Sequence, residues 1–403
     1  MATTYLNKTL GTPTNNKIWT WSAWVKRNNI GEYGVLFNAH NSRDCIRFRG
    51  NNDRIQIFFS EVSSGDLETN AVYRDCNGYY HLVLAVDTTQ ATASNRVKFY
   101  VNGEQITSWA TETYPAQNYT CKINSAIEHR IGKDFLYTEY FDGIMSHIHF
   151  CDGTQYQASD FGSTDATTGE WKINTNPNVT YGTNGFFILK DGNSVTDQSP
   201  NTNNFTVANG TLTKTEDCPS SVFATLNPLG GRNGSGKGTY QNGNTTWISS
   251  STDQDACNST LAVNDGGQYY CEMKCVAKTG GYYNPGVFSA VQSVYNSANP
   301  SVFVRGDGII YNNGSQTQSG LTSVSNGDII GMAYDGSGAT HTIQFYLNGS
   351  TYGSSENITN TPGYPLFFGD GTNSGSVVNE VNFNFGNGYF GTTAVSSAGT
   401  NAS

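Results

Sequence analysis

One short pattern occurs twice in this chain and limits what it can fold into. Ala85-Val86-Asp87, a polar loop and Val97-Lys98-Phe99-Tyr100-Val101-Asn102-Gly103 are echoed by Ala333-Tyr334-Asp335, a loop and Ile343-Gln344-Phe345-Tyr346-Leu347-Asn348-Gly349. In each copy a β-branched and aromatic run ends in Asn-Gly, the dipeptide that supplies the positive φ angles of a two-residue hairpin turn. The next segment, Glu104-Gln105-Ile106-Thr107 in the first copy, then returns as the partner strand. Period-two alternation recurs elsewhere, as in Tyr80-His81-Leu82-Val83-Leu84-Ala85-Val86, whereas helical spacing of apolar residues is almost absent. The chain is expected to be all-β. Its 403 residues exceed the roughly 250 of most single all-β domains, so the expectation is two tandem antiparallel β-sandwiches.

Composition agrees with many short strands joined by tight turns. Charged residues make up 13% of the chain, and 24 Tyr and 21 Phe are spread through nearly every segment, which separates it from disordered sequences of similar polarity. A net charge of −10 without any Lys/Arg cluster argues against nucleic acid as a partner, since that affinity depends on neutralising phosphates. No run approaches the ~20 apolar residues of a membrane-spanning helix, so membrane insertion is not expected, and Met1-Ala2-Thr3-Thr4-Tyr5 lacks the charged-then-apolar pattern of a signal peptide. The eight cysteines, Cys45, Cys76, Cys121, Cys151, Cys218, Cys257, Cys271 and Cys275, form no CxxC pairs. They read as scattered half-buried thiols rather than a zinc site or a disulfide framework.

The polar stretch 191–204 follows the apolar run Gly185-Phe186-Phe187-Ile188-Leu189-Lys190 and marks a boundary. The expected organisation is a first sandwich over residues 1–195, a connector with short strands over 196–237, and a second sandwich over 238–403.

Motifs that could carry chemistry fail on context. Gly231-Arg232-Asn233-Gly234-Ser235-Gly236-Lys237-Gly238-Thr239 reads like a phosphate loop, but such a loop must leave a buried strand and open a helix; Asn227-Pro228-Leu229 precedes it and Tyr240-Gln241-Asn242-Gly243-Asn244 follows. A flexible linker is the better reading. Glycoside hydrolysis needs two carboxylates flanking a cleft, and Asp134, Glu139 and Asp142 are scattered through loops instead, so no catalytic residue is assigned and the chain is not expected to be an enzyme. His147-Ile148-His149 alternates, which would put both imidazoles on one strand face, expected to be the solvated one. Asp134, Asp142 and Asp152 could contribute to a calcium site, yet the close spacing of a calcium loop is missing. No cofactor is expected, and metal content is left open.

Loop aromatics beside amides and carboxylates are what a sugar-binding face uses, with an apolar ring against the flat of the sugar and amides for its hydroxyls. The candidates are Trp109 and Tyr114 after the first hairpin, Tyr137 and Tyr140 in the loop that begins near Asp134, and Tyr282 and Tyr283 in Gly280-Gly281-Tyr282-Tyr283-Asn284-Pro285.

The first half resembles the concanavalin A-like, laminin-G-like jelly rolls through Trp19-Thr20-Trp21-Ser22-Ala23-Trp24-Val25-Lys26, Tyr80 to Asp87, Phe99-Tyr100-Val101-Asn102-Gly103 and Phe141-Asp142-Gly143-Ile144-Met145-Ser146. The second resembles a SPRY sandwich through Gly267-Gln268-Tyr269-Tyr270-Cys271-Glu272-Met273, Gly327 to Asp335 and Asn382-Phe383-Asn384-Phe385-Gly386. The tandem, joined by Asp197-Gln198-Ser199-Pro200-Asn201-Thr202-Asn203-Asn204-Phe205 and Phe223-Ala224-Thr225-Leu226-Asn227-Pro228-Leu229, resembles virion structural and tail-fibre proteins of marine tailed bacteriophages. That resemblance implies a fibre or appendage protein at the virion surface, assembled in the host cytoplasm with other virion proteins. It implies a homo-oligomer, with a trimer favoured, adhering to a host-surface glycan or protein. The alternatives are a head-decoration or cement protein and, third, an enzyme that cleaves surface polysaccharide. Such proteins usually continue past the Asn382–Gly386 strand, so the chain is read as a truncated or partial product.

Overall fold

A computed structural model describes residues 3–39, 44–60, 63–190, 192, 194–230, 238–250, 255–263, 266–289, 301–358, 365–372 and 377–395. The chain divides into two compact units, Met1–Val222 and Phe223–Ser403.

The first unit is built on an eight-stranded and a six-stranded antiparallel sheet. In the larger, the strands run in the order Trp109–Thr113, Gly65–Thr69, Ile55–Phe59, Asp44–Phe48, Gly34–Ala39, Glu128–Ile131, Tyr5–Thr9, Thr206–Ala208. In the smaller the order is Phe186–Ile188, Gly143–Asp152, Ile18–Arg27, Tyr80–Asp87, Val97–Val101, Glu104–Gln105. Alternate residues of Ile18–Arg27 and Tyr80–Asp87 (Trp19, Trp21, Ala23, Val25; Leu82, Leu84, Val86) join Phe37, Ile46, Phe48, Ile57 and Phe59 of the larger sheet in one core. The other face of the smaller sheet is also covered: Val83, Tyr100 and Cys151 pack with Ala158, Phe161 and Trp171. Burial on both faces explains why Ile18–Arg27 is buried almost throughout instead of alternating.

That burial includes two consecutive cations. Lys26 reaches Asp217 at 2.6 Å, both side chains 1% exposed, and Arg27 pairs with Asp53 at 3.1 Å. The division between units falls inside the stretch read as a connector. Thr206–Ala208 pairs with Tyr5–Thr9, Phe205 packs on Phe186 with ring centroids 4.7 Å apart, and Leu226 lies in the second core. The polar motif 197–204 is structural. The Asp197 carboxylate accepts the amides of Phe187, Ser199 and Asn203, while Asn201 and Asn203 donate to carbonyls of Gly182, Thr183 and Gly185.

The second unit has a seven-stranded sheet, in the order Thr239–Gln241, Thr246–Ile248, Val378–Asn384, Gln268–Thr279, Ile329–Asp335, His341–Leu347, Ser350–Ile358. Its six-stranded sheet runs Ala256–Asn258, Leu366–Gly371, Gly286–Ser289, Ser301–Arg305, Ile309–Asn312, Ser315–Gln318. Trp247, Met273, Met332, Phe345 and Phe383 meet Val287, Val302, Ile310 and Phe368 in its core. The fold is thus all-β, two antiparallel sandwiches in tandem. No helix among the described residues is long and apolar enough to cross a membrane. None of the eight cysteines, all of them among the described residues, is in a disulfide, and seven are buried; burial pushes several thiols up, Cys76 to about 11.

The repeated pattern has the same geometry in both units. Asn102 and Asn348 have φ of 49° and 50°. Asn102 donates its amide to the His81 carbonyl and accepts the His81 amide on its side chain, both at 2.8 Å; Asn348 does the same to Ile329 at 2.8 and 2.9 Å. Asp87 and Asp335 each accept the amide and hydroxyl of the residue two positions on, Thr89 and Ser337. Residues 231–237 of the phosphate-loop-like motif lie outside the described residues; Thr239, at its end, opens a strand where a phosphate loop would open a helix.

Candidate functional site

The six candidate aromatics separate by burial. Tyr283 is 0% exposed and its hydroxyl is 2.8 Å from Asn326 Oδ1; a ring enclosed in the core offers no face to a ligand, which corrects the expectation that it binds one. Tyr282 beside it is half-buried under cations, its centroid 5.3 Å from the Arg305 guanidinium and 6.0 Å from Lys278 Nζ. Arg305 is itself committed to Asp307 at 2.7 and 2.8 Å and to the Tyr311 hydroxyl at 2.9 Å. Trp109 and Tyr114 lie against the first core, where burial and Glu112 push the Tyr114 phenol up to about 12.

Tyr137 and Tyr140 belong to a differently built site, the loop 132–141. It starts at Gly132, whose φ of +87° turns the chain away from Glu128–Ile131 as a glycine readily can. Its neck is closed by the Lys133–Tyr140 bridge, by Asp134 N–H to Glu139 carbonyl (2.9 Å) and by Phe141 N–H to Gly132 carbonyl (2.9 Å). Asp134 is fully buried; its Oδ1 accepts the amides of Leu136 (2.7 Å) and Tyr137 (3.0 Å). That Asx turn pushes the tip outwards, leaving Leu136 46% and Tyr137 55% exposed. Beneath the tip, the Arg130 guanidinium lies 3.9 Å from the Phe135 centroid and 5.2 Å from that of Tyr5. Tyr5 and Tyr140 meet with centroids 6.4 Å apart. Tyr5, Arg130 and Lys133 were not among the candidates: Tyr5 reaches the loop only through strand pairing, which sets Leu6 opposite Ile131, while Arg130 and Lys133 directly precede the Asp-aromatic cluster 134–140 that was the nearest signal.

The carboxylates considered for calcium are not brought together. Asp134 holds its own loop, and Asp142 accepts from Asn28 Nδ2 at 3.2 Å. Asp152 accepts the Thr14, Asn15 and Asn184 amides and Asn124 Nδ2 at 2.6–3.1 Å, and those donors hold its carboxyl below the usual range. Among the described residues no group of three His, Cys, Asp or Glu is arranged to hold a metal ion. The His147–His149 expectation needs correction. A register shift between Ser146 and His149, with His147 at a φ of 47°, breaks the simple alternation, and both rings are buried rather than solvated. They lie against Phe187, with centroids 5.8 and 3.9 Å away, and burial drives the His149 pKa far down.

Residues 2–159 match the family model described as the concanavalin A-like lectin/glucanases superfamily. The fold of the first unit is concanavalin A-like. Among solved structures the chain is similar to the SPRY domain of human HERC1 (19% identity, 39% of this chain and 96% of that one, TM-score 0.32). It is also similar to a putative carbohydrate binding protein from Bacteroides ovatus (13%, 54% and 59%, TM-score 0.36) and to domains LG4-5 of the mouse laminin alpha1 chain (8%, 98% and 92%, TM-score 0.30). No curated protein matches the chain in sequence.

Proposed function

We propose that this protein is a non-catalytic adhesin of a phage particle's surface that holds a host-surface glycan on loop 132–141. The observation that carries the reading is the tip itself: an exposed tyrosine and leucine raised by a buried aspartate, where an apolar ring against the flat of a sugar gives shallow, wet binding. The carbohydrate-binding associations of the concanavalin A-like family agree with it. The virion assignment comes from the sequence resemblance of the tandem and its joining motifs. Weak single-site affinity favours display in several copies, as in a homotrimer among other virion proteins, where effective concentration supplies avidity.

The absence of catalysis is part of the proposal. Asp134 and Glu139, the two acids of the loop, are committed to backbone amides and to Arg47 at 2.8 Å, so neither is poised as a general acid or base.

Immunogold electron microscopy of purified particles tests the assignment. Label at fibre tips supports it; label over the head moves the protein to decoration, and unlabelled particles refute a virion role. Release of reducing ends from host polysaccharide would overturn the non-catalytic reading.

A further inference from the structure

Among the described residues three cations stand around loop 132–141, and two are neutralised locally: Arg47 pairs with Glu139 at 2.8 Å and Arg130 with Glu128 at 2.9 Å. Lys133 differs. Its ammonium lies 5.0 Å from the Tyr5 centroid and 5.3 Å from that of Tyr140, and among the described residues no carboxylate stands within ion-pair distance of it. Two ring faces favour a cation at that point without satisfying its N–H donors, which still seek an anionic acceptor.

The acids nearby do not compete, because Asp134 turns inwards onto its own loop amides and Glu139 onto Arg47. On the same loop, the 55% exposed Tyr137 offers a flat apolar face of the kind a pyranose ring covers. A chain of net charge −10 repels polyanions over most of its surface, so an anionic ligand would be confined to such a local cation.

We infer that this site takes an anionic sugar, with a carboxylate or sulfate oxygen on Lys133 Nζ and the pyranose ring on Tyr137. The inference rests on the glycan-binding reading above and names the ligand class for the same loop.

The test is calorimetric titration of the full chain with size-matched oligogalacturonate, sulfated dextran and unsubstituted dextran. The proteins are the wild type, Lys133→Met, Lys133→Arg and Tyr137→Ala, each checked for an unchanged melting temperature. The expected result is preference for one or both anionic oligomers over dextran, weakened by salt, reduced about tenfold by Lys133→Met and retained by Lys133→Arg. Preference for galacturonate or sulfated dextran then identifies the oxyanion. Anionic binding unaffected by Lys133→Met, or dextran bound equally well, overturns the inference; if Tyr137→Ala still abolishes that binding, the glycan reading survives it. Failure of both anionic oligomers to bind also overturns the inference, and host polysaccharide then decides the glycan reading separately.

Discussion

Trp171 donates its indole N–H to Nδ1 of His81 at 3.0 Å. That contact fixes the tautomer: Nδ1 accepts, so Nε2 carries the proton and donates to Ser22 Oγ at 2.9 Å. Trp24 stacks on the face of the imidazole with ring centroids 4.7 Å apart, and Trp171 meets its edge with centroids 6.0 Å apart. A Cβ on Gly103 would stand 2.4 Å from the Trp171 ring, so the Asn-Gly turn of the repeated pattern also provides the space in which the indole lies. Trp171→Phe keeps the ring but leaves Nδ1 buried without a donor. It is expected to cost about 1–3 kcal/mol, measured by urea unfolding.

Lys26 and Asp217, 191 residues apart, form an ion pair from which water is excluded. Asp217→Ala removes the carboxylate that faces the buried ammonium and is expected to destabilise the first unit by about 3–5 kcal/mol. The double change Lys26→Met with Asp217→Leu should recover most of the loss, since removing both charges removes the desolvation penalty with the attraction.

Asn38 shows the opposite imbalance. It is fully buried, and among the described residues neither its Oδ1 nor its Nδ2 has a hydrogen-bond partner. In the middle of a strand, replacement by valine removes the unsatisfied amide and suits the backbone. Asn38→Val is expected to raise the unfolding free energy by about 1 kcal/mol or more.

These residues show where reading the sequence stops. The Asn-Gly turns and the strands that flank them were legible because their requirements are local: positive φ at Asn102 and Asn348 and pairing between strands adjacent in the sequence. Loop 132–141 was legible only in part, since Lys133, Tyr137 and Tyr140 stand in the local sequence while Tyr5 joins them through strand pairing. The burial of His147 and His149 was hidden because a one-residue bulge re-aims a strand without changing its composition. Burial of Lys26 was hidden for another reason: its partner is far along the chain, and a charged residue reads as solvated until that partner is known.

Stability should depend on pH in two opposing ways. Burial lowers His81 from 6.5 to about 3 and His129 to about 4. Each is neutral in the fold but protonated when unfolded below 6.5, so its contribution is fully present above that pH and lost as pH falls. Burial raises Asp370 from 3.8 to about 7 against its bonds from Asn284 and Asn379. Its contribution is full below 3.8 and lost as pH rises through about 7. Asp370→Asn removes the second slope, so the stability of the variant relative to wild type should rise between about pH 4 and 7. Urea midpoints across that range check it; a constant difference would mean that Asp370 does not titrate there.

The central claim is that the raised tip of loop 132–141 holds glycan. The most direct test is binding of the wild type and Tyr137→Ala to purified host-surface polysaccharide, with melting temperatures confirming that both are folded. The account predicts saturable wild-type binding and a loss of roughly tenfold on removing the ring, the size of one aromatic contact with its buried area. Equal binding by the two proteins, or none by the wild type, would contradict it.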